Sequence, residues 1–200
     1  MTTTTDRDAL AAAIYASSHI TGEFVLRSGV VSNEYFDKYR FEADPVLLRD
    51  IAAALVPLVP AETDALAGLE LGGVPIAAVL SQLTGLPAYY VRKEAKTYGT
   101  CQLAEGGEVD GRRLTVVEDV VTSGGQMITS CGDLRERGAI VEHALCVIDR
   151  ESGGPQGLAE IGVELRPLFT MTELKRWSGA VPGGRDGGAE STDQKGAGAS

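Results

Sequence analysis

Two adjacent carboxylates followed by a loop of small residues form the most chemically informative stretch of this chain. The stretch is Leu114-Thr-Val-Val-Glu-Asp-Val-Val-Thr-Ser-Gly-Gly-Gln126, an apolar strand sequence that reaches Glu118 and Asp119 and then a loop that opens a helix. Glycines and hydroxyl residues allow close backbone approach, so the amides of Ser123 to Gln126 and the helix N-terminus can hold a phosphate dianion. Carboxylates at the C-terminal end of a parallel strand suit sugar hydroxyls or a magnesium ion instead. The stretch therefore predicts a phosphate site beside a site for hydroxyls or a cation.

Other phosphate-binding motifs are absent from the sequence. The chain contains no Gly-Lys dipeptide, which excludes a Walker A loop, and no G-x-G-x-x-G follows a strand sequence. An acidic pair alone is better interpreted as a buried strand with a solvated end. The Thr-Ser-Gly-Gly sequence three residues later reverses that preference in favour of a binding site.

A second stretch concentrates positive charge. It reads Val91-Arg-Lys-Glu-Ala-Lys-Thr-Tyr-Gly99, and it holds Arg92 together with two of the chain's lysines, Lys93 and Lys96. Several glycines follow before Arg112, so the segment is predicted to be a mobile loop that closes over a ligand. This loop supplies local positive charge that could face an anionic ligand.

The overall composition is acidic. Eighteen basic and 28 acidic residues give a formal net charge of −10 and a pI near 4.7, which argues against nucleic acid or an anionic membrane as a partner. The three cysteines, Cys101, Cys131 and Cys146, have no disulfide or zinc-site spacing. Because no apolar run approaches the ~20 residues needed to span a bilayer, we expect a cytoplasmic protein.

The elements that must position these residues alternate between β and α patterns. After a first helix over Asp6–Ser18, two short strands at Glu23–Arg27 and Glu34–Arg40 predict an N-terminal hairpin. A helix follows from Pro45, with Asp44 as its N-cap, through Leu58. The remaining strands are predicted at Ala65–Leu69, Ala88–Arg92, Leu114–Glu118, Ile140–Ile148 and Val163–Thr170. The remaining helices are predicted at Gly73–Thr84, Gly125–Arg137 and Pro155–Ile161.

This alternation predicts an α/β fold with a mostly parallel central sheet flanked by helices on both faces. Residues 1–177 are predicted to form one domain, with a small N-terminal hood over about residues 1–43. Residues 178–200 are glycine-rich and lack periodicity, and we expect them to be a disordered tail.

The two chemical stretches together resemble a known family. The acidic strand end and its loop resemble the 5-phosphoribosyl 1-pyrophosphate (PRPP) signature of type I phosphoribosyltransferases. The Arg-Lys-x-x-Lys-x-Tyr-Gly pattern resembles the catalytic loop of orotate phosphoribosyltransferases. Three further segments in the family's order agree with this resemblance, which covers about residues 22–176: Phe24-Val-Leu-Arg-Ser-Gly29 with Tyr35-Phe36, Gly68-Leu-Glu-Leu-Gly-Gly-Val-Pro75, and Val147-Ile-Asp-Arg-Glu151.

The resemblance implies transfer of ribose 5-phosphate from PRPP to N1 of orotate, with magnesium as cofactor. It assigns Lys96, Lys93 and Arg92, with the metal ion, to the leaving pyrophosphate, and Glu118 and Asp119 to the ribose hydroxyls. The ion would be held mainly by PRPP and water. The resemblance also implies a homodimer in which the 92–99 loop acts in the partner's site. Besides these five residues, the resemblance implies that PRPP is bound by Arg27, Leu71, Gly72, Tyr98, Val120, Val121, Thr122, Ser123, Gly124, Gly125 and Gln126. It implies that orotate is bound by Arg27, Tyr35, Phe36, Thr122 and Arg150.

The chain departs from the family pattern at three places. Arg27 stands where lysine is common, Tyr98 stands where many members have histidine, and Leu71-Gly72 stands where many relatives carry an aromatic residue and lysine. Arg27 keeps its charge and gains a bidentate fork, whereas Tyr98 brings no positive charge near neutral pH. Two alternatives remain open: a phosphoribosyltransferase for another base, and a PRPP-sensing regulator without turnover.

Overall fold

The computed structural model of the protein describes residues 6–25, 29, 31–94 and 103–177. Two layers of helices enclose a six-stranded sheet, and a separate two-stranded hairpin lies near the N-terminus. The strands are β1 His19–Val25, β2 Val31–Phe36, β3 Ala65–Leu69, β4 Ala88–Val91, β5 Ala104–Glu105, β6 Arg113–Val121, β7 Ile140–Asp149 and β8 Glu164–Thr170. The helices are α1 Arg7–Ser18, α2 Tyr39–Ala43, α3 Pro45–Leu55, α4 Gly73–Thr84, α5 Gly125–Arg135, α6 Gly154–Glu160 and α7 Met171–Lys175, with a 3-10 turn at Val56–Leu58.

The main sheet has the strand order β5-β4-β3-β6-β7-β8. All of its neighbouring pairs are parallel except β4 with β5, which is antiparallel. Its helical crossovers cover both faces, and each face has its own buried cluster. One cluster includes Ile14 and Ile51 from α1 and α3, and the other includes Met127 and Leu134 from α5.

Local sequence explains where the elements begin and end. The carboxylate of Asp44 accepts hydrogen bonds from the amides of Val46 and Leu47 at 2.9 and 3.0 Å, and Pro45 occupies the first turn of α3. Helix α4 ends at Gly85, whose φ of +77° is a left-handed conformation that glycine adopts without strain. The structure confirms the predicted start of α3 and the predicted bounds of β3 and α4.

Several elements differ from the prediction. Helix α3 ends at Leu55, before the 3-10 turn, and neither β5 nor α7 was predicted. Strand β6 continues beyond Glu118 to Val121, because β7 still pairs with it there, Val121 opposite Asp149. The hairpin is confirmed, but β1 begins at His19 and β2 ends at Phe36. Residues 39–43, predicted in part as strand, form α2 because Phe41 turns into the core, where it is fully buried.

The C-terminal part of the predicted mobile loop is packed against the sheet. Leu103 and Ala104 are buried in the α5-side cluster, and Ala104 pairs with Val91 as part of β5. The sheet therefore holds the chain from residue 103 onward. No helix in the described ranges has the length and apolar character needed to cross a membrane.

Candidate active site

Four loops meet at one edge of the main sheet, because the carboxyl ends of parallel strands share that edge. We name them the β3 loop (residues 70–72), the β4 loop (residues 92–94 of the described chain), the phosphate loop (residues 122–124) and the β7 loop (residues 150–153). The acid pair, the phosphate loop, the described start of the basic stretch and the β7 loop lie at or next to this edge. The edge is therefore the candidate active site.

The phosphate loop combines exposed hydroxyls with a tight turn. Thr122 and Ser123 are exposed, and Gly124 has a φ of +78° before α5 begins at Gly125. The first amides of α5 have no carbonyl acceptor within their own helix, so they can bind an anion. A β-carbon at Gly154 would lie 2.5 Å from Cγ1 of Val121, so that glycine lets α6 pack directly against this turn.

Asp119 is fully buried, and both of its carboxylate oxygens are engaged. The backbone amide of Val120 donates to Oδ1, and the ammonium of Lys38 lies 2.5 Å from Oδ2. The amide of Asp119 itself donates to Oε1 of Glu118 at 3.0 Å. These contacts fix the orientation of the acid pair predicted from the sequence.

The β3 loop approaches the acid pair through two glycines. A β-carbon at Gly72 would lie 1.7 Å from Oδ2 of Asp119 and 2.9 Å from Oε1 of Glu42. At Gly73 it would lie 2.1 Å from the carbonyl oxygen of Val117. Side chains are therefore excluded at both positions, and neighbouring Leu71 points outward, 61% exposed.

The carboxylates around Asp119 are shifted toward their neutral forms. Burial raises the pKa of Glu42, and the hydrogen bond and charge of Asp119 raise it further. Burial and the charge of Asp119 also raise the pKa of Glu118. For Lys38, burial acts to lower the pKa, but the hydrogen bond and charge of Asp119 outweigh it and the net pKa is raised. Lys38 forms an ion pair with Asp119, while the two neighbouring carboxyl groups favour their neutral forms.

The β4 loop is attached to its surroundings at two points. Nε of Arg92 lies 3.2 Å from Oε1 of Glu105 on β5. The backbone amide of Lys93 donates to Oε2 of Glu70 at 3.2 Å. The predicted residues Lys96 and Tyr98 lie outside the described residues.

Arg150 adjoins the phosphate loop. Its amide donates to the carbonyl oxygen of Val121 at 2.8 Å, and its side chain is exposed. The next residue, Glu151, has a φ of +56°, and its carboxylate accepts a hydrogen bond from the amide of Thr172 at 2.8 Å. The structure thus brings Arg150 and Thr122 to the same part of the edge, as the orotate assignment requires.

The hairpin aromatics have neighbours within the N-terminal region. The Tyr35 ring lies 5.5 Å from the Phe24 ring, and Tyr35 is 45% exposed. Phe36 is partly buried, packs against the core and lies 6.4 Å from the ring of Tyr15. Arg27, the third hood residue of the predicted base site, lies outside the described residues.

Sequence reasoning missed Lys38, Glu42 and Glu70. None of them belongs to a motif with characteristic spacing, and an isolated charged residue is usually solvated. The available signal for Lys38 was its position directly after the predicted aromatic pair, in a chain with few lysines. The contact with Asp119 joins residues 81 positions apart, and no local pattern contains it.

The sequence of this chain is similar to those of known proteins. A family model described as phosphoribosyl transferase domain matches residues 42–158. An orotate phosphoribosyltransferase from Nocardioides sp. is 56% identical over 165 residues, which cover 82% of this chain and 92% of that protein. Another from Methanocella arvoryzae is 45% identical over 153 residues, covering 76% of this chain and 87% of that protein.

Solved structures extend the similarity to the fold. The orotate phosphoribosyltransferase of Mycobacterium tuberculosis H37Rv in complex with inorganic phosphate superimposes with a TM-score of 0.75 at 27% identity, covering 84% of this chain and 97% of that one. The same enzyme in complex with PRPP gives a TM-score of 0.72 at 27% identity, with 84% and 98% coverage. The acid pair, the phosphate loop and these similarities together show that this chain belongs to the orotate phosphoribosyltransferase family, with the type I phosphoribosyltransferase fold.

Proposed function

We propose that this protein transfers ribose 5-phosphate from PRPP to N1 of orotate, giving orotidine 5′-monophosphate and pyrophosphate in pyrimidine nucleotide synthesis. The bond between C1 of the ribose and the pyrophosphate oxygen breaks, and pyrophosphate leaves with the electron pair. N1 of orotate forms the new bond to C1 and loses its proton. The observation that carries the proposal is the meeting of the acid pair, the phosphate loop, Arg150 and the β4 loop at one sheet edge.

The ribose 5-phosphate half of PRPP is assigned to β6 and the phosphate loop. The amides at the start of α5 and the hydroxyls of Thr122 and Ser123 would hold the 5′-phosphate. Glu118 and Asp119 would bind the ribose hydroxyls and lie close to the carbon that becomes positively charged. The ion pair and hydrogen bonds of Asp119 support this role, because they orient its carboxylate before substrate arrives.

The pyrophosphate half is assigned to the β4 loop. Negative charge accumulates on the leaving group, so cations held near it lower the barrier. Arg92 and Lys93 start this loop, and Lys96 follows them in sequence. The contact of Glu70 with the Lys93 amide supports the assignment, because it ties the start of the basic segment to the β3 loop.

The base is assigned to Arg150, Thr122, Tyr35, Phe36 and Arg27. A guanidinium matches the two oxygens of a carboxylate, which is the group that distinguishes orotate from uracil. Arg150 stands next to the phosphate loop, close to where C1 of the ribose would lie. We therefore expect Arg150 to contribute most to the choice of base.

Magnesium fits this site as an ion that the substrate carries. Within the described ranges, no group of three or more His, Cys, Asp or Glu side chains could hold a metal ion. Asp119 is engaged by Lys38, and Oε1 of Glu118 accepts a backbone hydrogen bond. Magnesium usually keeps several waters and substrate phosphates as ligands, so it would be held mainly by PRPP and water and would neutralise charge on the pyrophosphate.

A homodimer in the cytoplasm completes the proposal. The family resemblance implies that the 92–99 loop acts in the partner's site. Mixing Lys96→Ala protein with Asp119→Asn protein tests this directly, because a mixed dimer would contain one intact site and regain activity. The free, buried thiols of Cys131 and Cys146 support a reducing compartment.

The deciding experiment incubates the protein with PRPP, magnesium and a panel of bases, and follows base consumption and pyrophosphate release. We expect orotate to be consumed. Consumption of uracil or a purine without orotate would instead assign the protein to another base. PRPP binding without turnover of any base would indicate a regulator.

A further inference from the structure

Lys38 stands between the hairpin and the acid pair. It immediately precedes α2, and its ammonium lies 2.5 Å from Oδ2 of Asp119. Asp119 has no exposed surface, whereas 34% of the Lys38 side chain is exposed. A buried carboxylate is costly unless it is paired, so this contact is the condition under which Asp119 can stay charged.

The groups facing Asp119 are otherwise acidic or neutral. Glu42 lies against it from α2, Glu118 adjoins it on β6, and Cys146 is the β7 partner of Glu118. The Tyr39 ring lies 5.2 Å from the Lys38 ammonium. Among the described residues that interact with Asp119, Lys38 supplies the positive charge. Without it, the buried carboxylate of Asp119 would have no cationic partner among these residues.

Gly72 explains why the cation comes from α2. A β-carbon at Gly72 would lie 1.7 Å from the same Asp119 oxygen that Lys38 contacts. No side chain can start there while Asp119 keeps its position. The ammonium of Lys38 therefore reaches the neighbourhood of the β3 loop from a different element.

We propose that Lys38 is a positioning residue for the transfer reaction: its ion pair fixes the buried carboxylate of Asp119 and, through the hydrogen bond between Asp119 and Glu118, the orientation of the acid pair toward the ribose hydroxyls. The inference rests on the proposed function, since the ribose belongs to PRPP.

The test compares Lys38→Gln, which keeps a hydrogen-bond donor without the charge, with Lys38→Arg, which keeps the charge. For Lys38→Gln we expect kcat/KM for PRPP to fall at least about tenfold, as for a lost hydrogen bond to a charged group. The acid limb of its pH profile should move to higher pH by about one unit or more. Lys38→Arg should recover most of the activity and restore the acid limb. The matched control is Lys175→Gln, which changes an exposed lysine on α7. Its kcat/KM for PRPP and the acid limb of its pH profile should match those of wild type.

An unchanged kcat/KM and an unmoved acid limb in Lys38→Gln would overturn the proposal. If Lys38→Gln does not fold, as judged by thermal unfolding, the pH profile of Lys38→Arg becomes the deciding measurement. A wild-type profile for Lys38→Arg supports the proposal, and a profile that differs from wild type overturns it. Calorimetric PRPP binding to wild type and variants separates this inference from the proposed function. Wild type that binds PRPP but does not consume orotate would refute orotate transfer, while weaker PRPP binding by Lys38→Gln at low pH would still support the role of Lys38.

Discussion

The carboxylate of Glu70 accepts a hydrogen bond from the backbone amide of Lys93 at 3.2 Å, and this contact joins the β3 loop to the β4 loop. The amide of Glu70 also donates to the carbonyl oxygen of Val91 at 2.8 Å. The chain is therefore held on both sides of Arg92 at the point where the basic segment begins. An ordered start limits the positions that the following lysines can reach.

Removing the Glu70 side chain should weaken catalysis moderately. We expect Glu70→Ala to lower kcat/KM for PRPP by up to about tenfold, which corresponds to one hydrogen bond of ~0.5–1.5 kcal/mol. Glu70→Gln keeps an acceptor oxygen and should remain within about twofold of wild type. Steady-state kinetics at saturating orotate measure both, and equal rates for Glu70→Ala and wild type would show that the contact does not position the basic loop.

Lys96 is expected to act on the leaving group and not on folding. Lys96→Ala should lower kcat by about 100-fold or more, because it removes positive charge where negative charge develops in the transition state. Its midpoint of thermal unfolding should stay at the wild-type value. An unchanged kcat would remove Lys96 from the catalytic residues, and Lys175→Ala serves as a control for loss of a lysine elsewhere.

Gly72 should not tolerate a methyl group. Gly72→Ala would place a β-carbon 1.7 Å from Oδ2 of Asp119, so either the loop or the acid must move. We expect a loss of about 1–3 kcal/mol in the free energy of unfolding, together with weaker PRPP binding. Gly132→Ala in α5 is the matched control, because its β-carbon would meet nothing within 4 Å and alanine is the better helix former. Urea unfolding and calorimetry measure both effects, and wild-type behaviour of Gly72→Ala would contradict the packing described for the site.

Glu42 should make stability depend on pH. Burial raises its pKa in the folded protein above the ordinary value of 4.5, so the folded state keeps a proton that the unfolded chain releases. The resulting stabilisation is complete below pH 4.5 and is lost as the pH rises through the raised pKa of Glu42. Glu42→Gln is neutral at every pH and can still donate to Asp119.

The midpoint of thermal unfolding of Glu42→Gln, relative to wild type, should therefore rise by about 2–4 °C between pH 5 and pH 9. Differential scanning calorimetry across this range provides the measurement. Glu160→Gln, at an exposed position on α6, should show no such trend. A constant difference between Glu42→Gln and wild type would indicate that Glu42 is ionised in the folded state.

Local chemistry in the sequence determined much of this protein. The bounds of β3 and α4, the N-cap at Asp44 and the succession of acid pair, small-residue loop and helix all follow from patterns within a few residues of one another. Parallel strands then bring Glu118, Gly72 and Arg150 to one edge, so the family and the location of the site could be predicted without coordinates.

Tertiary structure decided the environment of the acid pair. The ion pair of Lys38 with Asp119, the burial of Glu42 and the extension of β6 to Val121 depend on elements that are far apart in the chain. The same holds for Leu103 and Ala104, which become part of the sheet because Val91 offers an edge for pairing. Short-range propensity contains no information about such contacts. They depend on which buried charges the packed fold brings together, and that determines which carboxylate stays ionised.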